Sequence, residues 1–305
     1  MDLGPLTGRV AGAPISWGVC EAPGWGHELP ASLVLAQMAE LGLAATELGP
    51  TGYLGADTDA VRATLETHGL SLVGGFLPVT LHVGAQVDLT EAEAAIRTLA
   101  AAGSQVVVLA ADAGPAGYDS KVVLDEDQWK HLVHNLDRVR DLVAGLGMRT
   151  TLHPHVGTAI ESAESVRQLL ARSDVPLCLD TGHLAVGGAD PLELAKSAPE
   201  RVGHVHLKDV RNDVAAEFNA GAFGWVDAVR RGLFAPLGDG DLDITGVVVE
   251  LERAGFTGWY VLEQDTALGG APAAGEGPVH DVRRSIAYLR DTVVPALGAE
   301  VNHRG

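Results

Sequence analysis

Cysteine is nearly absent from this chain of 305 residues, with only Cys20 and Cys178 present. Two thiols in apolar, strand-like contexts cannot build a disulfide framework, so they read as buried free thiols of a reducing compartment. Positive charge is scarce as well: 21 Lys and Arg stand against 40 Asp and Glu, a formal net charge of −19. Phosphate backbones repel such a surface, and no local basic patch offsets it, which argues against nucleic-acid partners and against a DNA-repair nuclease. No apolar run approaches the length of a membrane span, since even 33–45 is broken by Gln37, Glu40 and Gly42. The opening Met-Asp-Leu-Gly-Pro carries no basic leader followed by an apolar run, so a soluble cytoplasmic protein is expected, with no membrane partner. A homo-oligomer is compatible with this composition. The dinucleotide fingerprint is missing too: neither Gly74-Gly75 nor Gly187-Gly188 has the required spacing between a strand and a helix.

What is present is apolar substance, 47% of the residues, arranged in short runs. The clearest is Leu177-Cys-Leu-Asp-Thr-Gly-His183, three apolar residues ending in an acid and a turn. A continuously apolar run of this length suits a strand buried on both faces of a parallel sheet. A carboxylate at the end of such a strand demands a compensating cation. The design recurs in Arg149-Thr-Thr-Leu-His-Pro-His155, Val202-Gly-His-Val-His-Leu-Lys-Asp209 and Trp259-Tyr-Val-Leu-Glu-Gln-Asp265.

Further strands are expected at 11–18, 44–48, 72–77 and 105–110, the last holding the β-branched run Val106-Val-Val-Leu109. Helical spacing of apolar residues predicts helices at 31–41, 58–67, 90–102, 126–146, 162–171, from Pro191, 245–254 and 279–292. The segment 211–243 reads as a long connection, and 269–277 as a mobile loop over the active face. Eight strands alternating with about eight helices imply parallel strands with helical crossovers. Polar residues at so many strand ends favour an α/β fold of the closed (β/α)8 type over an open sheet, forming one domain over 1–305 with its core at about 11–296.

His153, Asp180, His206 and Glu263 end four successive strands, so one cation could touch all four. Two imidazoles and two carboxylates suit a first-row divalent ion, Mn²⁺ or Co²⁺ ahead of Zn²⁺ or Fe²⁺, better than Ca²⁺ or Mg²⁺. His183 and Lys208 are candidates to face a substrate, as are Glu47 and His155 across the mouth. Trp17 and Trp25 could wall a sugar site, whereas Trp129, on a helix, belongs to the core. Asp239-Gly-Asp-Leu-Asp243 imitates the start of a calcium loop, but Ile244 stands where that loop needs glycine, so a turn into a helix capped by Asp243 is expected.

Taken together, Ala13-Pro-Ile-Ser-Trp-Gly18, Thr46-Glu-Leu-Gly-Pro50, His153-Pro-His-Val-Gly-Thr158, Leu179-Asp-Thr-Gly-His183, His204-Val-His-Leu-Lys-Asp209, Pro236-Leu-Gly-Asp-Gly-Asp241 and Glu263-Gln-Asp265 resemble the sugar phosphate isomerase/epimerase-like (xylose isomerase-like) TIM barrels, and within them the inosose dehydratases. The resemblance implies a divalent metal at Asp180, His206 and Glu263 and a substrate contact at His183. The chain departs from the isomerases and epimerases at His153, where they carry a glutamate that is both ligand and acid/base. Neutral imidazole in place of a carboxylate leaves the metal a stronger Lewis acid toward a ketone. The expected activity is metal-dependent dehydration of a ketocyclitol such as 2-keto-myo-inositol. Glu263 or His153 would take the α-proton, and His183 or Lys208 would help the β-hydroxyl depart. Isomerisation or epimerisation of a keto sugar or inosose is the alternative, and in either case the partner is a small polyol or keto sugar.

Overall fold

The computed structural model describes residues 2–114, 119, 121–273 and 275–302. Eight parallel strands close on themselves: β1 (Val10–Gly12), β2 (Ala45–Glu47), β3 (Ser71–Val79), β4 (Val106–Ala111), β5 (Arg149–Leu152), β6 (Leu177–Asp180), β7 (Val202–Leu207) and β8 (Tyr260–Leu262). Closure is made by β1 against β8, with Ala11 opposite Val261. The expected (β/α)8 barrel is therefore the observed one, with the helices packed outside it.

Alternation along the strands decides what fills the lumen, because successive side chains point to opposite faces. Ala11, Ala13, Ala45, Val73 and Val261 form one apolar cluster, and Val106, Val108 and Cys178 another, both separate from the large core between strands and helices. Two residues beyond Ala45, Cys178, His204 and Val261 come Glu47, Asp180, His206 and Glu263. The strands that plug the barrel with small apolar residues thus deliver ionisable groups to its C-terminal mouth.

Several boundaries differ from expectation for local reasons. The first strand stops at Gly12, and Pro14–Trp17 is a 3-10 turn, which proline at its first position favours. The connection 211–243 is not a plain loop, since it holds helices Asn212–Asn219 and Trp225–Arg230 and a two-stranded antiparallel ribbon of Asp209–Val210 with Phe234–Ala235. The last helix, Val279–Tyr288, continues through a wide turn at Leu289–Val293 into Val294–Asn302. Pro295 in that final segment cannot donate to the preceding turn, and a widened turn accommodates it. The mock calcium loop resolves as expected: Asp243 caps helix Ile244–Arg253 by accepting from Gly246 N, and Asp241 accepts from Asn212 N. Trp129 is buried in the core. No described helix is long and apolar enough to cross a membrane.

Candidate active site

A cavity of about 520 Å³ opens at the mouth. Its polar lining includes Glu47, His153, His155, His206, Glu263 and Asp265, and its apolar lining includes Ile15, Val19, Leu48 and Phe76. Lys208, His183 and Asp180 lie beneath this surface, each no more than 1% exposed.

Asp180 is the hub. Its Oδ1 accepts from His183 N at 2.8 Å, which caps the short helix Thr181–Val186. Its Oδ2 lies 3.3 Å from His153 Nε2, 3.4 Å from His206 Nδ1 and 3.3 Å from Lys208 Nζ. His206 Nδ1 is also 2.8 Å from Glu263 Oε2. Lys208 Nζ reaches Glu263 Oε1 at 2.9 Å and Asp265 Oδ1 at 2.8 Å. The short helix can lie this close because residue 182 is glycine: a Cβ there would stand 2.7 Å from Lys208 Cβ. His183 is enclosed by rings, 3.7 Å from His155 and 5.4 Å from Trp225 between centroids.

Burial makes the charge balance decisive. Burial works against an ammonium at Lys208, but Asp180, Asp265 and Glu263 outweigh it and hold its pKa well above the ordinary lysine value. Burial would raise the Asp180 carboxyl, yet Lys208 foremost keeps it well below the usual range. Glu263 is brought down to about 2, the charges of His206 and Lys208 overcoming burial. Asp265 goes the other way, to about 6, because burial and the neighbouring Glu263 outweigh Lys208. Among the imidazoles, burial lowers His153, His183 and His204 and takes His155 to about 3. His206 alone is raised well above its ordinary value, its neighbours Cys178, Glu263 and Glu47 prevailing over burial. A proton is drawn to the one imidazole that sits between carboxylates, which is what a site short of positive charge does.

That deficit makes the donor set fit a cation. Asp180, His206 and Glu263 offer ligand atoms within 4.8 Å of one another, all buried. His153 joins such groups with Cys178 and His206, and with Asp180 and His183, but not with Glu263. The four expected ligands therefore meet as a group of three with His153 alongside. His153 Nδ1 has no hydrogen-bond partner among the described residues.

Other candidates fall elsewhere. Trp17 requires correction as a substrate wall: it is fully buried in the helix-facing core and donates to Gln37 Oε1 at 2.8 Å, outside the cavity lining. Trp25 is likewise buried, donating to Thr266 O. His183 and Lys208 are not among the cavity-lining residues, and none of the described residues of 269–277 lines the cavity. Glu47 and His155 do line it. Asp265, His204 and Trp225 were not singled out from the sequence. Alternation could have found the first two, each two residues from a chosen strand-end group, but Trp225 gave no signal in a segment read as a loop.

A family model described as the xylose isomerase-like TIM barrel matches residues 35–292. The inosose dehydratase of Geobacillus kaustophilus is 32% identical over 280 residues, covering 85% of this chain and 89% of that protein. The inosose dehydratase of Geobacillus thermodenitrificans is 31% identical over 293 residues, covering 92% and 95%. Among solved structures, that of the IolI protein with a bound zinc atom superposes with a TM-score of 0.67 at 16% identity, over 93% of this chain and 98% of that one, a likeness of fold.

Proposed function

This chain belongs to the xylose isomerase-like TIM barrel family and is an enzyme, and from that premise we propose that it is a hydro-lyase removing water from a ketocyclitol such as 2-keto-myo-inositol. The observation that carries this reading is the end of β5, where His153 stands beside the acidic hub with one nitrogen unpartnered among the described residues. Relatives named inosose dehydratase, aligned over most of the chain, support it.

Asp180, His206 and Glu263 would hold a divalent ion, Mn²⁺ or Co²⁺ first, which when bound supplies Lewis acidity toward the ketone. His153 is the base. Its Nε2–H points to Asp180 Oδ2, so Nδ1, a buried nitrogen with no hydrogen-bond partner among the described residues, carries the lone pair that would take the α-proton, and burial keeps the ring neutral and able to accept it. Asp265 is the acid. Held near a pKa of about 6 at the cavity surface, it can give a proton to the departing β-hydroxyl, so that the C–O bond breaks to release water and an enone remains. His183, kept neutral, and Lys208, tied to three carboxylates, do not serve as that acid. Lys208 balances the acids and fixes Glu263 and Asp265 in place. The paired-glutamate shuttle of an epimerase lacks a member here, because the residue that follows β5 is His153.

The test is turnover of 2-keto-myo-inositol, followed as enone absorbance, before and after chelator treatment. Loss of product on chelation and recovery with added Mn²⁺ or Co²⁺ are expected. Undiminished turnover in metal-free protein would reject the metal role, and α-carbon deuterium exchange without water loss would replace dehydration by epimerisation.

A further inference from the structure

Glu47 lines the cavity, yet one of its oxygens is committed to two imidazoles. Oε1 accepts from His204 Nε2 at 2.8 Å and from His206 Nε2 at 3.0 Å, all three side chains being buried. We infer that Glu47 is a positioning residue for His206: it takes the proton on Nε2 and thereby presents Nδ1, as the lone-pair donor, to the cation held with Asp180 and Glu263. The inference rests on the metal reading of the site and adds which nitrogen binds and what orients the ring.

Three features support it independently. The two edges of the His206 ring face different partners, Nε2 toward Glu47 and Nδ1 toward Glu263 and Asp180. A carboxylate on the distal nitrogen fixes tautomer and ring angle and raises the basicity of the ligating nitrogen. Next, the pairing of β2 with β3 shifts register between Thr46 and Glu47 and sets Glu47 opposite Gly74. The extra residue is Val73 on β3, so the irregularity places a glycine, Gly74, against Glu47. Last, Gly74 leaves space for the carboxylate: a Cβ there would lie 3.1 Å from Glu47 Oε1, so any side chain presses on the oxygen that holds both histidines. His204 completes the arrangement by a second hydrogen bond to the same oxygen, steadying Glu47 from the strand that carries His206.

Two measurements test this. In the unmutated protein, labelled with ¹⁵N-histidine and loaded with Zn²⁺, long-range ¹H–¹⁵N spectra are expected to report a proton on His206 Nε2 and metal on Nδ1; the reverse assignment overturns the inference. In parallel, Mn²⁺ affinity is measured by chelator competition for Glu47→Gln and Gly74→Val, with KM and kcat taken at saturating Mn²⁺. Both variants are expected to bind Mn²⁺ about 10–100-fold more weakly, while KM for the ketocyclitol at saturating metal moves less than about threefold. Unchanged Mn²⁺ affinity with KM raised about tenfold or more would make Glu47 a substrate ligand instead. Wild-type protein that takes up neither Mn²⁺ nor Zn²⁺ would bring down the metal reading itself, a failure distinct from loss of the Glu47 role alone. Should either variant fail to fold, the wild-type spectra decide.

Discussion

His153 concentrates the question of what each side chain does. Its position at the end of β5 was legible from the apolar run before it, but whether it would ligate or carry protons was not, because that depends on where Glu263 stands, 110 residues away in sequence. His153 has Asp180 on one ring nitrogen and, among the described residues, no hydrogen-bond partner on the other, which favours the proton-carrying role proposed above. His153→Gln is therefore expected to retain wild-type metal content and to lose about 10²–10⁴-fold in kcat. Elemental analysis of the purified variant checks the first half and steady-state rates the second; loss of metal would return His153 to the ligand set. His204 was hidden for a related reason. Its role depends on Glu47, and only closure of the barrel brings those two residues together.

At the level of elements, the eight strands were readable because continuous apolar runs and flanking turns leave few alternatives. The segment 211–243 was not, since helices of eight and six residues carry too few turns for a periodic signal. What organises that segment is Asp209, a buried carboxylate that receives backbone N–H groups from Val210, Gly238, Gly240 and Leu242. These bonds tie the loop 236–243 to the ribbon beside the mouth. Asp209→Ala leaves several of those donors unsatisfied, with an expected cost of about 3 kcal/mol or more. The midpoint of urea unfolding measures it. A change within about 0.5 kcal/mol would mean that the loop holds itself.

For the molecule as a whole, the buried imidazoles dictate a response to pH. His153, His155, His183 and His204 are depressed below 6.5 in the folded state, so the unfolded chain binds more protons as pH falls below that value, and stability is lost on the acid side. His206 is raised, so its contribution is complete below 6.5 and is lost as pH climbs through its folded pKa. Metal-free protein should therefore be most stable near pH 6.5, with the acid limb the steeper, because His82 is depressed as well and the five imidazoles act against His206 and against Asp265, which is raised to about 6 and takes its proton first in the folded state. Urea midpoints taken from pH 5 to 8 would reveal this. A flat profile over that range would show that the imidazoles are not held as the burial implies.

Asp180 gives one oxygen to the backbone of the helix that follows it and the other to the mouth. Descendants of this chain that abandoned the chemistry would still be obliged to keep a cap-forming side chain at that position, or lose the turn that carries His183. Inheritance at residue 180 is thus constrained twice, and an acid found there in a relative is, taken alone, no sign that the relative still catalyses anything.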